Sequence, residues 1–296
     1  MDKDTIKRLI IEYQQFVANI TLIEREIHLS HQLNYVFVGL RRAGKSYLMY
    51  QQIQSLLNDG HQPEEILYFN FEDDRLVNLT VEDLDLIKVS YEELYPHKPI
   101  FFLDEIQIVE HWEKFARRLA DQQYRVYITG SNAKMLSAEI ATTLGGRYIV
   151  QNVYPFSFSE FLKASKIEIG PTWYYKNRTE IVRTFSDYFS YGGLPELMLI
   201  ETIEKRQWLS NLFNKIFFGD LITRYSIRND LAMKVLIRKL AESVKQPSSF
   251  NRLTNIVSTT GAKVSTDTII DYLNFLQATW LFFSLENYAS KLVEKI

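Results

Sequence analysis

Five short apolar runs, separated by stretches of helical periodicity, constrain the first half of this chain. They are "YVFVG" (35–39), "ILYFNF" (66–71), "IFFLDE" (100–105), "RVYITGS" (125–131) and "RYIVQNV" (147–153). Runs this short and continuous are typical of strands buried on both faces, and intervening helices make each connection a crossover. The pattern predicts an α/β domain with a parallel five-stranded sheet flanked by helices.

Helical periodicity fills the stretches around these runs. At the N-terminus, apolar residues recur at spacings of three and four over residues 4–28, which predicts one long helix. Shorter helices are predicted over 45–59, 82–94 and 111–121. Because ligands of open α/β sheets bind at the carboxyl ends of the strands, the residues that follow each apolar run are the candidates for function.

The composition narrows the class of protein. The 296 residues include no cysteine, which excludes disulfides and thiolate metal sites and favours a reducing, cytoplasmic location. The formal net charge of −2 gives no bulk attraction for nucleic acid or an anionic membrane. No apolar run approaches the ~20 residues of a membrane span, and the N-terminus does not resemble a signal peptide.

The pattern changes after "YPFSFSEF" (154–161), where strand-like runs give way to helical periods. We expect an α/β domain over 1–165, an all-helical lid or linker over 166–228 and a winged-helix module over 229–296. The winged-helix assignment depends on the order of three helical periods followed by the β-rich tail "WLFFSLENY".

The first apolar run leads into "GLRRAGKS", which fits the pattern G-x-x-x-x-G-K-[ST] at a strand-to-helix junction. We call residues 39–46 the phosphate loop. Gly39 and Gly44 allow backbone conformations in which successive N–H groups point inward at phosphate oxygens. Lys45 is expected to reach the β- and γ-phosphates, and the Ser46 hydroxyl to ligate Mg²⁺. The predicted nucleotide contacts are Gly39, Leu40, Arg41, Arg42, Ala43, Gly44, Lys45, Ser46 and Tyr47.

The charged residues near the loop have more than one possible role. The pattern does not require Arg41 or Arg42, which either meet phosphate, pair with an acidic neighbour or stay solvated. Glu72 and Asp73 follow the second apolar run, and they lie either near a bound metal or in an exposed loop.

The third apolar run ends in two acids. Asp104 would lie at the carboxyl edge of the sheet, where it is expected to hold Mg²⁺ through water. Glu105 is expected to orient and deprotonate an attacking water, which is the role that separates hydrolases from kinases.

Two further polar residues follow later strands. Asn132, with Ser131 as second choice, is expected to bind the γ-phosphate or the attacking water; the alternative is a cap at the strand end. Arg147, before the fifth run, is expected to stabilise charge on the transferring phosphoryl group of a neighbouring subunit; the alternative is a surface ion pair.

Together these elements resemble the AAA+ ATPases, and more narrowly a widespread uncharacterised prokaryotic group of ATP-binding proteins. The resemblance covers about 36–196 and rests on "GLRRAGKS", "YFNFEDDRL", "FLDEIQ", "ITGSNAKMLS", "LGGRY", "YPFSFSEF" and "YGGLPE". In that group a nuclease-like domain of unknown function follows the winged helix, and this chain stops at Ile296, about where that domain would begin.

The resemblance implies ATP as the nucleotide, Mg²⁺ as the metal and the residue roles given above. It also implies that Pro195, in "YGGLPE", packs on the adenine; the alternative is a turn that ends a helix. Arg178 and Arg183 are candidates for a sensing arginine in the lid.

The predicted recognition helix of the winged-helix module, residues 264–279, contains Asp267 and Asp271 and no Lys or Arg. A helix that enters the major groove normally carries basic residues. Contact with a protein is therefore favoured over sequence-specific DNA binding for this module. For the chain as a whole, we expect an ATP hydrolase; the alternatives are a slow nucleotide-gated switch and a DNA-associated ATPase. The role of Arg147 in a neighbouring subunit predicts a homo-oligomer.

Overall fold

The structure is a computed structural model that describes residues 2–76, 79–130, 142–244, 246, 248–261 and 263–285. The strands are β1 (Asn34–Val38), β2 (Ile66–Asn70), β3 (Ile100–Asp104), β4 (Arg125–Gly130) and β5 (Tyr148–Asn152). The helices are α1 (Lys3–Asn19), α2 (Lys45–Asn58), α3 (Val81–Leu94), α4 (Trp112–Asp121), α5 (Phe158–Ala164), α6 (Trp173–Lys176), α7 (Arg178–Tyr191), α8 (Thr202–Lys215), α9 (Asp230–Glu242), α10 (Phe250–Ser258) and α11 (Thr266–Ala278). Short 3₁₀ turns cover Pro63–Glu65, Ile106–Ile108 and Pro195–Leu199, and Ile216–Thr223 is π-helical.

The five strands form one parallel sheet in the order β2-β3-β4-β1-β5, which confirms the predicted sheet. Because β4 lies between β1 and β3, the carboxyl ends of these three strands meet at one edge. The loop that follows β1 and the acids that follow β3 are therefore neighbours in space, although a helix–strand–helix segment separates them along the chain.

The core of the sheet is aromatic. The rings of Phe102 and Tyr127 stack on neighbouring strands with 4.5 Å between their centroids, and Tyr35 stacks on the other side of Tyr127 at 5.9 Å. The edge strand β5 differs, since Ile149 and Val150 are each almost half exposed. Its apolar sequence predicts strand formation correctly but not burial.

The N-terminal helix is shorter than its apolar period predicts. It ends at Asn19 rather than near residue 28, and Ile20 is already extended. The side-chain amide of Gln54 donates hydrogen bonds to the carbonyls of Val17 (3.2 Å) and Ile20 (2.8 Å), which the helix would otherwise have to satisfy. The prediction of one helix over 4–28 is therefore wrong beyond residue 19, because tertiary hydrogen bonds replace its last turns.

The chain divides into two compact units, residues 1–205 and 206–296. The second unit has its own core, to which α9, α10 and α11 contribute Leu236, Val257 and Ile269. The predicted order of three helices is present there, and the described part of the tail, 281–285, forms no strand. The rest of the tail lies outside the described residues, so the winged helix and the three-part division stay predictions.

Within the part of the chain that the structure describes, no helix has the length and apolar character needed to cross a membrane.

Candidate functional site

The phosphate loop joins the end of β1 to the start of α2, and its backbone needs both glycines. A Cβ on Gly39 would lie 2.1 Å from the carbonyl oxygen of Val153, because the chain leaving β5 passes directly against the loop. Gly44 has φ +96°, in the left-handed region that favours glycine. Arg42 also has positive φ, at 64°, and such alternation produces the concave row of N–H groups that binds anions.

The first turn of α2 is open to an anion. Gly44 occupies the position before the helix and has no side chain that could cap it, and the first turn contains no acidic residue. The free N–H groups and the positive end of the helix dipole are therefore available at the loop.

Lys45 is buried, with 5% of its surface exposed, and its ammonium group folds back onto the loop. Nζ donates hydrogen bonds to the carbonyls of Gly39 (3.2 Å) and Leu40 (3.1 Å). Burial lowers the pKa of Lys45, while the nearby carboxylates of Glu105 and Asp104 oppose that shift. A phosphate at the loop would supply the charge partner that a buried ammonium group favours.

Asp104 ends β3 and is buried beneath the loop, with 3% of its surface exposed. Its carboxylate accepts hydrogen bonds from three hydroxyls, those of Tyr68 (2.6 Å), Thr129 and Ser46. Burial raises the pKa of Asp104, and the three hydroxyls act in the opposite direction. The predicted metal residues Ser46 and Asp104 are thus in contact.

Glu105 has φ 56°, a left-handed conformation that is uncommon for a residue with a side chain. Its N–H donates to Thr129 Oγ1 at 2.9 Å, which fixes the turn after β3. Its Oε1 lies 3.9 Å from Nζ of Lys45, and its carboxylate accepts a hydrogen bond from the side chain of Gln107. Backbone strain of this kind is concentrated at functional sites.

Arg25, a residue to which the sequence analysis gives no role, lies against the loop with 6% of its surface exposed. Its guanidinium group donates to Ala43 O (3.0 Å), Tyr154 O (2.8 Å) and Glu160 Oε1 (2.8 Å). It also lies over the ring of Phe156, 5.0 Å from the centroid. The spacing of Ser157 and Glu160 signals the start of a helix, but nothing local in the sequence signals the pair with Arg25.

Pro195 is brought to the phosphate loop. Its Cγ is 3.9 Å from the position that a Cβ on Gly44 would take. The segment is held there by the hydrogen bond from Phe156 N to Gly193 O (2.7 Å) and by the ion pair between Arg42 and Glu196. Pro195 also follows the end of α7 and begins a 3₁₀ turn, as the alternative reading expects.

The remaining charged candidates near β2 are engaged with neighbours. Arg41 lies 3.9 Å from Glu72, which fits the reading of an acidic partner. Asp73 accepts hydrogen bonds from Tyr13 (2.6 Å) and Arg75, and those from Arg75 hold its pKa well below the usual range. We therefore assign Asp73 to the packing of α1 against β2.

Arg147 precedes β5, at the amino end of the parallel sheet and opposite the phosphate loop. Its Nε donates to Asp121 Oδ1 at 2.5 Å, as the ion-pair alternative expects. Asn132 and Ser131 lie outside the described residues. Arg178 begins α7, and Arg183 lines a cavity with Phe161 and Lys205. All of these roles stay predictions.

Comparison with known proteins agrees with this geometry. Residues 31–162 match the family described as AAA domain, and residues 182–296 match a domain of unknown function (DUF8612). An uncharacterised protein of Haemophilus influenzae is 32% identical over 279 residues, which cover 90% of this chain and 67% of that protein. The chain belongs to the AAA+ P-loop family.

Two further similarities were found. An uncharacterised protein of Methanocaldococcus jannaschii is 32% identical over 293 residues, and the alignment covers 98% of this chain and 65% of the relative's length. Among solved structures, AMPPCP-bound DnaA from Aquifex aeolicus is similar over 91% of this chain and 86% of its own, with 12% identity and a TM-score of 0.33.

The residues of this AAA+ P-loop site fit a magnesium ion that arrives with a nucleotide. Ser46 and Asp104 place a hydroxyl and a carboxylate at one point, and Mg²⁺ commonly takes one or two protein ligands and completes its shell with phosphates and water. The described residues contain no group of three or more His, Cys, Asp or Glu that could hold a metal alone. Metal binding here is therefore expected to depend on the nucleotide.

Proposed function

We propose that this chain binds ATP with Mg²⁺ at the phosphate loop and hydrolyses it. One observation carries the proposal: Lys45 and Ser46 at the start of α2 meet Asp104 and Glu105 at the end of β3. The place where the γ-phosphate would lie is thus surrounded by a cation, a pair of residues that could bind a metal and a carboxylate that can accept a proton.

Each residue has a defined part in this proposal. The N–H groups of the loop cradle the phosphates, and Lys45 moves from the carbonyls of Gly39 and Leu40 to the β- and γ-phosphates. Ser46 and Asp104 would hold Mg²⁺, which when bound neutralises charge on the phosphates. Glu105 orients the attacking water and accepts its proton.

Three further residues complete the proposed site. Asn132 would bind the γ-phosphate or the water, and Arg147 would act in the site of a second copy of the chain. Pro195 would pack on the adenine, and its closeness to Gly44 supports this placement.

The short distance between Pro195 and Gly44 also supports a coupling between the nucleotide state and the helical region. The ion pair of Arg42 and Glu196 ties the phosphate loop to the segment after α7. A nucleotide phosphate that attracts Arg42 would compete with Glu196 for it. We infer that ATP binding and hydrolysis move this segment and, through it, the predicted lid and winged-helix module.

A slow nucleotide-gated switch is the second candidate, and one contact favours it. The side chain of Gln107 donates to one carboxylate oxygen of Glu105, and this bond competes with an attacking water for the carboxylate. If the bond persists with ATP bound, hydrolysis is slow and the bound state itself becomes the signal.

The second unit favours a protein partner over DNA. Asp267 and Asp271 lie on the exposed side of α11. On α9, the charges of Lys234 and Arg238 are matched by acids four residues away, at 3.1 and 3.0 Å. These two ion pairs reduce the positive charge that α9 offers to a phosphate backbone, and the two acids on α11 would repel one.

Phosphate release from ATP, measured with Mg²⁺ and with EDTA, tests the proposal. Mg²⁺-dependent turnover supports the hydrolase, and binding with negligible turnover supports the switch. Duplex DNA added at low salt should leave the rate unchanged; stimulation that disappears at high salt would instead support the DNA-associated ATPase.

A further inference from the structure

Arg25 is a buried cation next to the phosphate loop, yet the proposed chemistry does not use it. It lies in the extended segment between α1 and β1. Its three hydrogen bonds reach the loop at Ala43, the chain after β5 at Tyr154, and α5 at Glu160. One side chain thus joins the phosphate loop to two neighbouring places in the chain that follows β5.

The contact with Ala43 has a consequence for the next N–H group. A trans peptide is planar, so its carbonyl and the following N–H point in opposite directions. No peptide bond in the described chain is cis. Arg25 holds the Ala43 carbonyl toward its guanidinium group, and the N–H of Gly44 therefore points away from that group.

Gly44 depends on this restraint more than most residues would. Its φ of +96° belongs to a backbone region that a glycine can easily leave. Arg25 Nη1 is also 3.4 Å from the position that a Cβ on Gly44 would occupy, so the guanidinium group lies directly against this turn. A flexible glycine peptide is thereby held in one orientation.

Glu160 makes the burial of Arg25 tolerable. Its carboxylate accepts from Arg25 Nε and from the backbone N–H groups of Glu26 (2.9 Å) and Ser157 (2.9 Å). A buried guanidinium group without such a partner would be strongly destabilising. The two residues therefore have separable roles: Glu160 compensates the charge, whereas Arg25 contacts the loop.

We propose that Arg25 is a positioning residue for nucleotide binding, which acts by aiming the Gly44 N–H into the phosphate site. This inference rests on the proposed function. Arg25 supplies the Ala43 carbonyl with a donor at 3.0 Å, so this carbonyl does not have to turn inward to find one. Arginine suits the place because its fork can donate to three acceptors at once, which a lysine cannot match in geometry.

The test separates stability from affinity with two variants. Glu160→Gln keeps an acceptor for Arg25 and the contact with Ala43, so it should lower the melting temperature but leave the dissociation constant for Mg·ADP within about threefold. The double variant Arg25→Met, Glu160→Gln contains no unpaired buried charge and should fold, yet bind Mg·ADP about tenfold or more weakly. Arg118→Lys, at an exposed ion pair with Asp85, is the matched control and should change neither quantity.

Calorimetry below the melting temperature of every variant gives the dissociation constants for Mg·ADP. In steady-state kinetics, the double variant should raise KM for ATP more than it lowers kcat. If Glu160→Gln binds Mg·ADP as weakly as the double variant does, affinity follows stability, and the role of Arg25 is overturned. Wild-type affinity in the double variant overturns it as well. A wild-type chain that binds no nucleotide overturns the proposed function itself.

Discussion

Nζ of Lys45 lies 3.9 Å from Oε1 of Glu105, although one residue begins α2 and the other follows β3. The sheet order produces this closeness, because β4 alone separates the two strands. The pair marks the two sides of the place where a terminal phosphate would bind: a cation for its charge and a carboxylate for the attacking water.

Glu105→Gln should lower ATP turnover by about 10²–10⁴-fold and keep ATP binding, because an amide can orient water but cannot accept its proton. Phosphate release and equilibrium binding of Mg·ATP are the two measurements. Glu92→Gln, which removes an exposed acid paired with Lys88, should leave both unchanged. Equal turnover in Glu105→Gln and wild type would remove Glu105 from the chemistry.

Lys45→Met should remove nucleotide binding with little change in the melting temperature of the nucleotide-free chain. Burial lowers the pKa of Lys45, which means that the charged form is less favourable in the fold than in water. Its loss should therefore cost little stability, within about 1 kcal/mol. Thermal melts with and without Mg·ADP measure both effects. Lys163→Met, at an exposed pair with Glu24, should keep the full nucleotide-induced shift.

Tyr68→Phe should weaken Mg²⁺ binding, because it removes one of the hydroxyls that stabilise ionised Asp104. The pKa of Asp104, already raised by burial, should rise further. Since Mg²⁺ binds the deprotonated carboxylate, the acid limb of activity should move to higher pH, and half-saturating Mg²⁺ should increase about tenfold.

Tyr50→Phe is the control for this prediction. The Tyr50 hydroxyl bonds to that of Tyr68 at 3.1 Å, and removing it leaves the bond from Tyr68 to Asp104. An equal shift in both variants would indicate a general loss of packing instead of an effect on the metal site.

Gly39→Ala should destabilise the first unit by about 1–3 kcal/mol or more, because the new Cβ would meet the carbonyl of Val153 at 2.1 Å. Gly170→Ala, whose Cβ meets nothing within 4 Å, should be nearly neutral. Urea denaturation of the two variants measures the difference. Equal stabilities would show that the chain after β5 does not pass against the loop.

Arg147→Ala should lower turnover by about 10³-fold only where the chain self-associates, since Arg147 lies at the sheet edge opposite its own phosphate loop. Asp121→Asn breaks the same ion pair but keeps the arginine, and should retain activity. Mass measurement with and without ATP accompanies the assay. A monomer with full activity would exclude this role.

The sequence predicts the parts of this fold and site that local patterns encode. Each strand is observed within about a residue of its predicted bounds, and the two glycines lie at the junction that their motif requires. The meeting of Asp104 with the phosphate loop follows once the strands are taken as parallel.

The parts of the fold and of the site that the sequence does not predict depend on contacts between distant segments. Gln54 ends α1 before its apolar period stops, and Tyr68 and Thr129 reach Asp104 because their strands flank β3. Arg25 acts through a backbone carbonyl. Because every residue has one, the residue type at position 43 does not indicate this contact. Such relationships become visible when the strand order and the path of the chain are known.

The most direct test of the central claim is a crystal structure with Mg²⁺ and a non-hydrolysable ATP analogue. We predict phosphate oxygens at the N–H groups of residues 39–46, Nζ of Lys45 turned onto the terminal phosphates, and Mg²⁺ beside Ser46 and Asp104. A nucleotide bound elsewhere, with Lys45 still on the carbonyls of Gly39 and Leu40, would contradict the account.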